Sequence, residues 1–260
     1  MDLPDLLRRH RLEARLSQLE LALRAGTTQR HVSFIESGRS NPGRAMVIRL
    51  AESLGLSLRM RNDLLLAAGY APAYAQTPWP EPDLAPVRSA IDHILASHEP
   101  YPAVVVDRGG QIVAANNGLA VVAEGAAPEL VGIGCNAYRL ALHPAGMAPR
   151  IVNFTDWAQH VLAGTRHLPG LHAELCQYVP TFAPKDDYLG FAVPLRLRTS
   201  LGELHLMTTV TTFATAIDVT LAELRLEAFL PADAATAEAL RKARLALSSP
   251  KPAVAHGSGS

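Results

Sequence analysis

The chain has 260 residues, 48% of them hydrophobic and 18% charged, a balance that excludes a disordered polymer and allows a sizeable core. Its formal charge of zero conceals a division: residues 1–70 carry 11 Arg, no Lys and 7 acidic residues, a net of +4, against 13 basic and 17 acidic residues over 71–260, a net of −4. No run reaches the ~18 apolar residues of a membrane span, the opening MDLPDLLRRHR lacks a signal peptide's apolar stretch, and Cys135 and Cys176 make no disulfide framework; a cytoplasmic protein with reduced thiols and no membrane partner is expected.

A basic head on an acidic body assigns any polyanion contact to the head. In Leu16-Ser17-Gln18-Leu19-Glu20-Leu21 a capping box predicts a helix start: Ser17 caps the Glu20 amide, Glu20 returns to the Ser17 amide, and Leu16 staples against Leu21. This helix runs to Arg24 and breaks at Ala25-Gly26-Thr27. Thr28 caps a second helix from Gln29 to about Ser37, closed by Gly38. Val32 and Ile35 fall on its buried face, with Gln29, Arg30, His31, Ser33 and Phe34 on the exposed one. Further helices are predicted over 42–54 and 58–67. Two short helices across a glycine turn make a helix-turn-helix, whose second helix enters the major groove of DNA.

These residues resemble the DNA-binding domain of the XRE, or lambda-repressor-like, family over about residues 3–70. The resemblance implies five short helices and a double-stranded operator as partner. It implies that Gln18 bonds a phosphate and braces the second motif helix, that Gln29 and Arg30 read base edges, and that Arg39 and Arg44 grip phosphate. Thr28, His31, Ser33 and Phe34 complete the expected DNA-facing set. Phe34 departs from the polar residue frequent there, leaving open a thymine methyl contact or simple packing. Arg11 and Glu36 match a family ion pair tying the first helix to the recognition helix. One head offers few contacts, so a homodimer on two half-sites about one helical turn apart is expected.

Five prolines between Ala71 and Pro86 predict an extended, semi-rigid linker. The expected domains are 1–71 for the head, 72–86 for the linker, 84–247 for the body and 248–260 for a disordered tail. In the body, Leu84, Val87, Ile91, Ile94 and Leu95 recur at helical spacing, and strands are expected over 103–107 and 111–116. Residues 117–180 read as mainly helical, followed by a hairpin of 190–198 and 203–213, a strand near 224–230 and a helix near 233–247 that Asp233 caps. Two strands, helices, then three strands give an α+β fold with helices covering an antiparallel sheet.

The body offers no catalytic motif. It has no Walker loop, no Gly-x-Ser-x-Gly elbow and no His-Glu-x-x-His helix, and Gly132-Ile133-Gly134 lacks a third glycine. His172 and Cys176, with His160 or His167, read as surface histidines and a buried thiol in preference to a metal site, and Asp186-Asp187 as a solvated loop. No cofactor and no enzymatic activity are expected. Strand faces carrying Val104 and Val106, Phe191, Val193 and Leu195, or Leu204, Leu206, Thr208 and Val210 read first as plain core.

Residues 84–245 resemble the MmyB-like transcription-regulator ligand-binding domain, a PAS-like fold. The matching pieces are Pro102 to Asp107, Val113 to Asn116, Asn136 to Arg139, His143-Pro144 through Asn153 and Trp157, Thr212-Phe213-Ala214 and Pro231-Ala232-Asp233. The resemblance implies a hydrophobic pocket for a fatty-acyl ligand, each buried methylene contributing ~0.8 kcal/mol. Val104, Val106, Tyr138, Trp157, Phe191, Leu206 and Val210 are the expected walls. Asn136, Arg139 and Asn153 are candidates for a carboxylate head, each also readable as a structural hydrogen-bonder. The combined reading is a transcriptional regulator sensing a small apolar ligand. Its rivals are a body that serves only dimerisation or protein interaction, and an enzyme fused to a DNA-binding head.

Overall fold

The structure, a computed structural model, describes residues 2–179, 193–213 and 216–248. They belong to two units, one of residues 1–81 with 213–223 and one of 82–212 with 224–260.

The first unit begins with α1 (Leu3–Glu13), capped by the Asp2 carboxylate, which accepts from the Asp5 amide. In α2 (Gln18–Arg24) the expected capping box is complete: the Glu20 amide donates to Ser17 Oγ at 3.1 Å, and the Ser17 amide to Glu20 Oε2 at 2.7 Å. Gly26, at φ +62°, turns the chain into α3 (Gln29–Glu36), capped by Thr28. Then come α4 (Arg44–Ser53) and α5 (Leu58–Ala67). The fourth helix starts two residues later than expected, because Gly43 holds an extended conformation at its N-cap. Leu7, Leu21, Val32, Ile35, Leu50, Leu64 and Leu65 are fully buried in one core.

The linker differs from a free spacer. Asn62 on α5 accepts the Ala73 and Tyr74 amides at 3.0 and 3.1 Å and donates to the Tyr74 carbonyl at 2.8 Å. One buried amide thus fastens the chain to the helix it has just left, a tie that the proline count, which predicted an extended, semi-rigid linker, did not include.

The second unit opens with α6 (Ala85–Ser97), then β1 (Ala103–Val106) and β2 (Ile112–Ala115). Four helices follow: α7 (Leu119–Val122), α8 (Ala137–Leu142), α9 (Phe154–Thr165) and α10 (Pro169–Cys176). The hairpin of β3 (Leu195–Thr199) and β4 (Gly202–Thr212) turns at the expected residues. Val193 and Pro194 lie outside its first strand, Pro194 having no amide to donate; residues 190–192, including Phe191, and Asp186-Asp187, on which the rest of that expectation falls, lie outside the described residues. A connection bearing α11 (Val219–Glu223) leads to β5 (Arg225–Pro231) and α12 (Ala234–Ser248), whose first turn Asp233 caps by accepting the Thr236 amide at 2.7 Å. The tail after 248 and Ala214 also fall outside the described residues.

The five strands pair antiparallel in the order β2-β1-β5-β4-β3. This is the α+β architecture that the order of elements implied. One face of the sheet, with Val104, Val106, Leu195, Leu197, Leu204 and Leu206, shares a core with Tyr138, Leu140 and Leu142 of α8 and with Trp157 and Val161 of α9. The connection between β4 and β5 belongs to the first unit: α11 packs on α5, Glu223 forms a two-pronged ion pair with Arg59 at 2.7 and 2.8 Å, and Asp218 accepts the Thr77 amide and hydroxyl at 2.9 and 2.7 Å.

Candidate DNA-binding surface and ligand cavity

On α3, Val32 and Ile35 are fully buried, which turns Gln29 and Arg30 to solvent. Thr28, Arg39 and Arg44 are exposed as well, while Gln18, His31, Ser33 and Phe34 are half-buried. The fold therefore brings the nine expected DNA-facing residues onto α2, α3 and the turn and helix that follow, with the recognition helix presenting its first turn. Phe34 has two neighbours that residue type alone did not reveal. The Arg30 guanidinium lies 5.0 Å from its ring centroid and that of Arg39 5.9 Å, both within cation–π range of one aromatic ring.

A buried polar cluster sets the tilt of α3. Arg11 Nε and Nη2 donate to the two Glu36 carboxylate oxygens at 2.6 and 2.8 Å, and Arg11 Nη1 donates to the Leu16 carbonyl at 2.8 Å. Gln18 Nε2 donates to Glu36 Oε2 at 2.8 Å, which is the bracing expected of it. Only 3% of the Glu36 side chain and 9% of Arg11's is exposed. Burial would raise the Glu36 pKa, but the hydrogen bonds from Arg11 and Gln18 and the Arg11 charge outweigh it and hold the carboxyl below its ordinary value.

The second unit contains a cavity of about 330 Å³, at the small end of ligand sites. Its walls are chiefly apolar: Val104, Ile112, Leu119, Val122, Leu140, Met147 and Val161, with Trp157 from α9, Tyr138 from α8 and Val210 from β4. Tyr138 is held in place at its back, where a Cβ on Gly110 (φ +80°) would lie only 2.5 Å from the ring. Polar groups enter from the sheet and α9: Thr208, Arg225, Glu227 and His160. Arg225 Nη2 donates to the Tyr138 hydroxyl at 2.8 Å. Burial raises the pKa of Tyr138, which the Arg225 charge only partly offsets, and burial likewise raises that of Glu227 against the same arginine.

Of the expected ligand contacts, Val104, Tyr138, Trp157 and Val210 line this cavity. Val106 and Leu206 sit in the surrounding core without lining it, and Phe191 is outside the described residues. The three expected head-group residues are occupied elsewhere and do not line it. Asn136 caps α8 through the Tyr138 and Arg139 amides and donates to the Gly109 carbonyl; Arg139 makes a two-pronged ion pair with Glu174; Asn153 bridges the Pro194 carbonyl and the Arg196 amide. Thr208, Arg225 and Glu227 are the polar wall that the sequence reading did not pick. The signal was their shared side of neighbouring strands: Arg225, Glu227 and Phe229 alternate along β5, and Val104 and Val210 flank Glu227 in register. His172 donates to or accepts from Thr165 Oγ1 at 3.0 Å, and the Cys176 thiol is exposed and not buried as expected. Among the described residues no three His, Cys, Asp or Glu side chains cluster as a metal site would require, and no helix is long and apolar enough to cross a membrane.

The model of the MmyB-like transcription regulator ligand binding domain matches residues 87–243, more than half of the chain. The chain belongs to the MmyB-like transcription regulators. A helix-turn-helix model matches residues 7–60, across α1 to the start of α5. This MmyB-like protein is thus a DNA-binding transcription regulator with a ligand-binding domain. A search of the curated proteins found no match. Among solved structures, one described as "Structure of an RNA-binding Light-Oxygen-Voltage Receptor" is 12% identical, with a TM-score of 0.29, over 94% of this chain and 63% of that one. This chain spans less than two thirds of that protein, and at that TM-score the likeness carries no argument.

Proposed function

We propose that this MmyB-like regulator is a homodimeric, non-enzymatic switch that couples a small apolar ligand, fatty-acid-like in character, to occupancy of a partly palindromic operator. Gln29 and Arg30 read base edges, with Thr28, His31 and Ser33 beside them. Gln18, Arg39 and Arg44 hold phosphates, and Phe34 aligns Arg30 and Arg39 for those separate tasks. Pairing two heads one helical turn apart supplies the contacts that a single head lacks. Since its target is DNA, the protein works in the cytoplasm.

The ligand reading rests on one observation, the largely apolar cavity of about 330 Å³, partly open to solvent, lined by α7, α8, α9 and the sheet. An acyl chain filling it gains ~0.8 kcal/mol per methylene removed from water. A ligand that binds one arrangement of the dimer better than another shifts operator occupancy by its differential affinity, and a half-site spacing of one turn tolerates little change. The test is to measure the native mass of the full-length protein and identify what organic extraction releases. A dimer carrying stoichiometric acyl mass supports the proposal. A protein that holds no acyl compound and takes none up refutes the sensor and leaves a body that serves association alone.

A further inference from the structure

The cavity wall holds one permanent cation. Among the described residues that line it, Arg225 is the only arginine or lysine, set at the start of β5 on the face that also carries Glu227 and Phe229. Other arginines of this unit have carboxylate partners. Arg139 is matched by the two oxygens of Glu174, and Arg196 reaches Glu203 through Nε and Nη2 at 2.8 and 2.6 Å. Arg225 has no such ion pair among the described residues: its one hydrogen bond there runs from Nη2 to the Tyr138 hydroxyl at 2.8 Å. Burial pushes the Tyr138 pKa up, so the phenol stays neutral and steadies the guanidinium without cancelling its charge. The N–H groups of Nε and Nη1 are left uncommitted, a donor fork whose natural complement is a carboxylate.

Glu227 is the acid on the same wall, and it does not close that fork. It stands two residues further along β5, flanked in register by the apolar Val104 of β1 and Val210 of β4, and forms no ion pair with Arg225. Burial raises its pKa, and the Arg225 charge offsets this only in part. From α9 the exposed His160 reaches the cavity, and Asp107, just after β1, acts on Tyr138. A carboxylate entering beside Glu227 drives it further toward its neutral form, because two like charges in one apolar space resist joint ionisation. The guanidinium then faces one anion.

Building on the apolar-ligand reading, we infer that Arg225 is the head-group anchor of this cavity and that the ligand is a monocarboxylic acid, its carboxylate accepting from the Arg225 guanidinium while its chain lies among Val104, Leu119, Leu140, Trp157 and Val161. One guanidinium without a second arginine or lysine beside it matches a single negative charge and not a phosphate dianion. The role expected of Asn136, Arg139 and Asn153 thus passes to a residue on the sheet.

The test uses the full chain and three probes of one chain length, decanoate, decanol and decyltrimethylammonium, titrated calorimetrically at a mildly alkaline pH where decanoate is ionised. Decanoate is expected to bind about tenfold tighter than decanol, the measure of one charge-assisted hydrogen bond, with the cationic probe the weakest of the three. Arg225→Met should weaken decanoate about tenfold or more and leave decanol within twofold of wild type, a split that general damage to the cavity would not produce. Arg225→Gln loses the charge but keeps an N–H donor for the Tyr138 hydroxyl, and it should show the same split if Arg225→Met fails to fold. Decanol binding as tightly as decanoate to the wild type, or a folded Arg225 variant that weakens both probes alike, overturns the inference while leaving the apolar-ligand reading standing. Binding of none of the three probes overturns both.

Discussion

Replacing Glu36 by Ala in the full chain removes the centre of the buried cluster that ties α1 and α2 to α3. The guanidinium of Arg11, 9% exposed in its side chain, then loses two of its three acceptors, and Gln18 loses its partner. Breaking one side of a buried pair costs about 3–5 kcal/mol, because the remaining charge stays desolvated. For a unit of this size each kcal/mol moves the midpoint by about 4–8 °C, so the transition of the first unit should fall by roughly 12–40 °C. Thermal unfolding followed by circular dichroism, with operator binding at low temperature as a second readout, measures this directly. Arg11→Met combined with Glu36→Leu should recover most of the loss, since no charge is then left buried. A midpoint lowered by only a few degrees, or a double variant no better than Glu36→Ala, would refute the account of what orients the recognition helix. The wild-type pH dependence has a definite sign. With its folded pKa depressed, Glu36 contributes fully above the ordinary carboxylate range, and that stability is lost as pH falls through the lowered value.

Arg30→Ala should weaken operator binding by about 1–3 kcal/mol and relax preference at one base pair, whereas Arg39→Ala should weaken operator and random DNA alike and lower the salt slope by about 1. Titrations on both DNAs across a salt series check this, and identical behaviour of the two variants would remove the division between reader and gripper. Gly164 lies in α9 on the cavity wall, and a Cβ there would meet nothing within 4 Å. Gly164→Leu should therefore raise stability, by about 1 kcal/mol from helix propensity alone, while abolishing retention of acyl compounds on extraction; a variant that still carries them would place the ligand elsewhere. Burial would raise the Asp218 pKa, but the Thr77 hydroxyl and amide and the amides of Leu221 and Thr220 hold it below the ordinary value. Its contribution thus persists through neutral and mildly acid pH and is lost as pH falls through that lowered value, and hydrogen exchange over 216–223 should accelerate there or in Asp218→Ala at neutral pH.

Local signals made the head readable. Ser17-x-x-Glu20, Thr28 and the positive-φ turn at Gly26 act within a few residues, and the structure keeps each where its chemistry demands. The sheet was readable from alternation, since Val104 and Val106 must share a face whatever pairs with them. The cavity was legible only in part. Trp157 and Tyr138 are large and apolar enough to suggest it, but the polar wall depends on the register that sets Glu227 between Val104 and Val210, which no single strand encodes. Asn136, readable either as a head-group donor or as a structural hydrogen-bonder, carried a local sign for the second: it directly precedes a helical run, the position of an N-cap, and that is its place. The fastening of Tyr74 by Asn62 and of Thr77 by Asp218 joins residues 12 and 141 positions apart, and only the second separation puts the partner beyond any pattern in the sequence.

That last separation has a consequence for how the protein is made. The DNA-binding unit is built from two separated stretches of the chain: Asp218 and Glu223 emerge from the ribosome 141 residues after Thr77 and 164 after Arg59. At translation rates of about 5–20 residues per second, α5 waits roughly 7–30 s for the partners of Arg59 and Thr77. A nascent or truncated head lacks that piece, and the unit is complete only when most of the ligand-binding domain has also been synthesised.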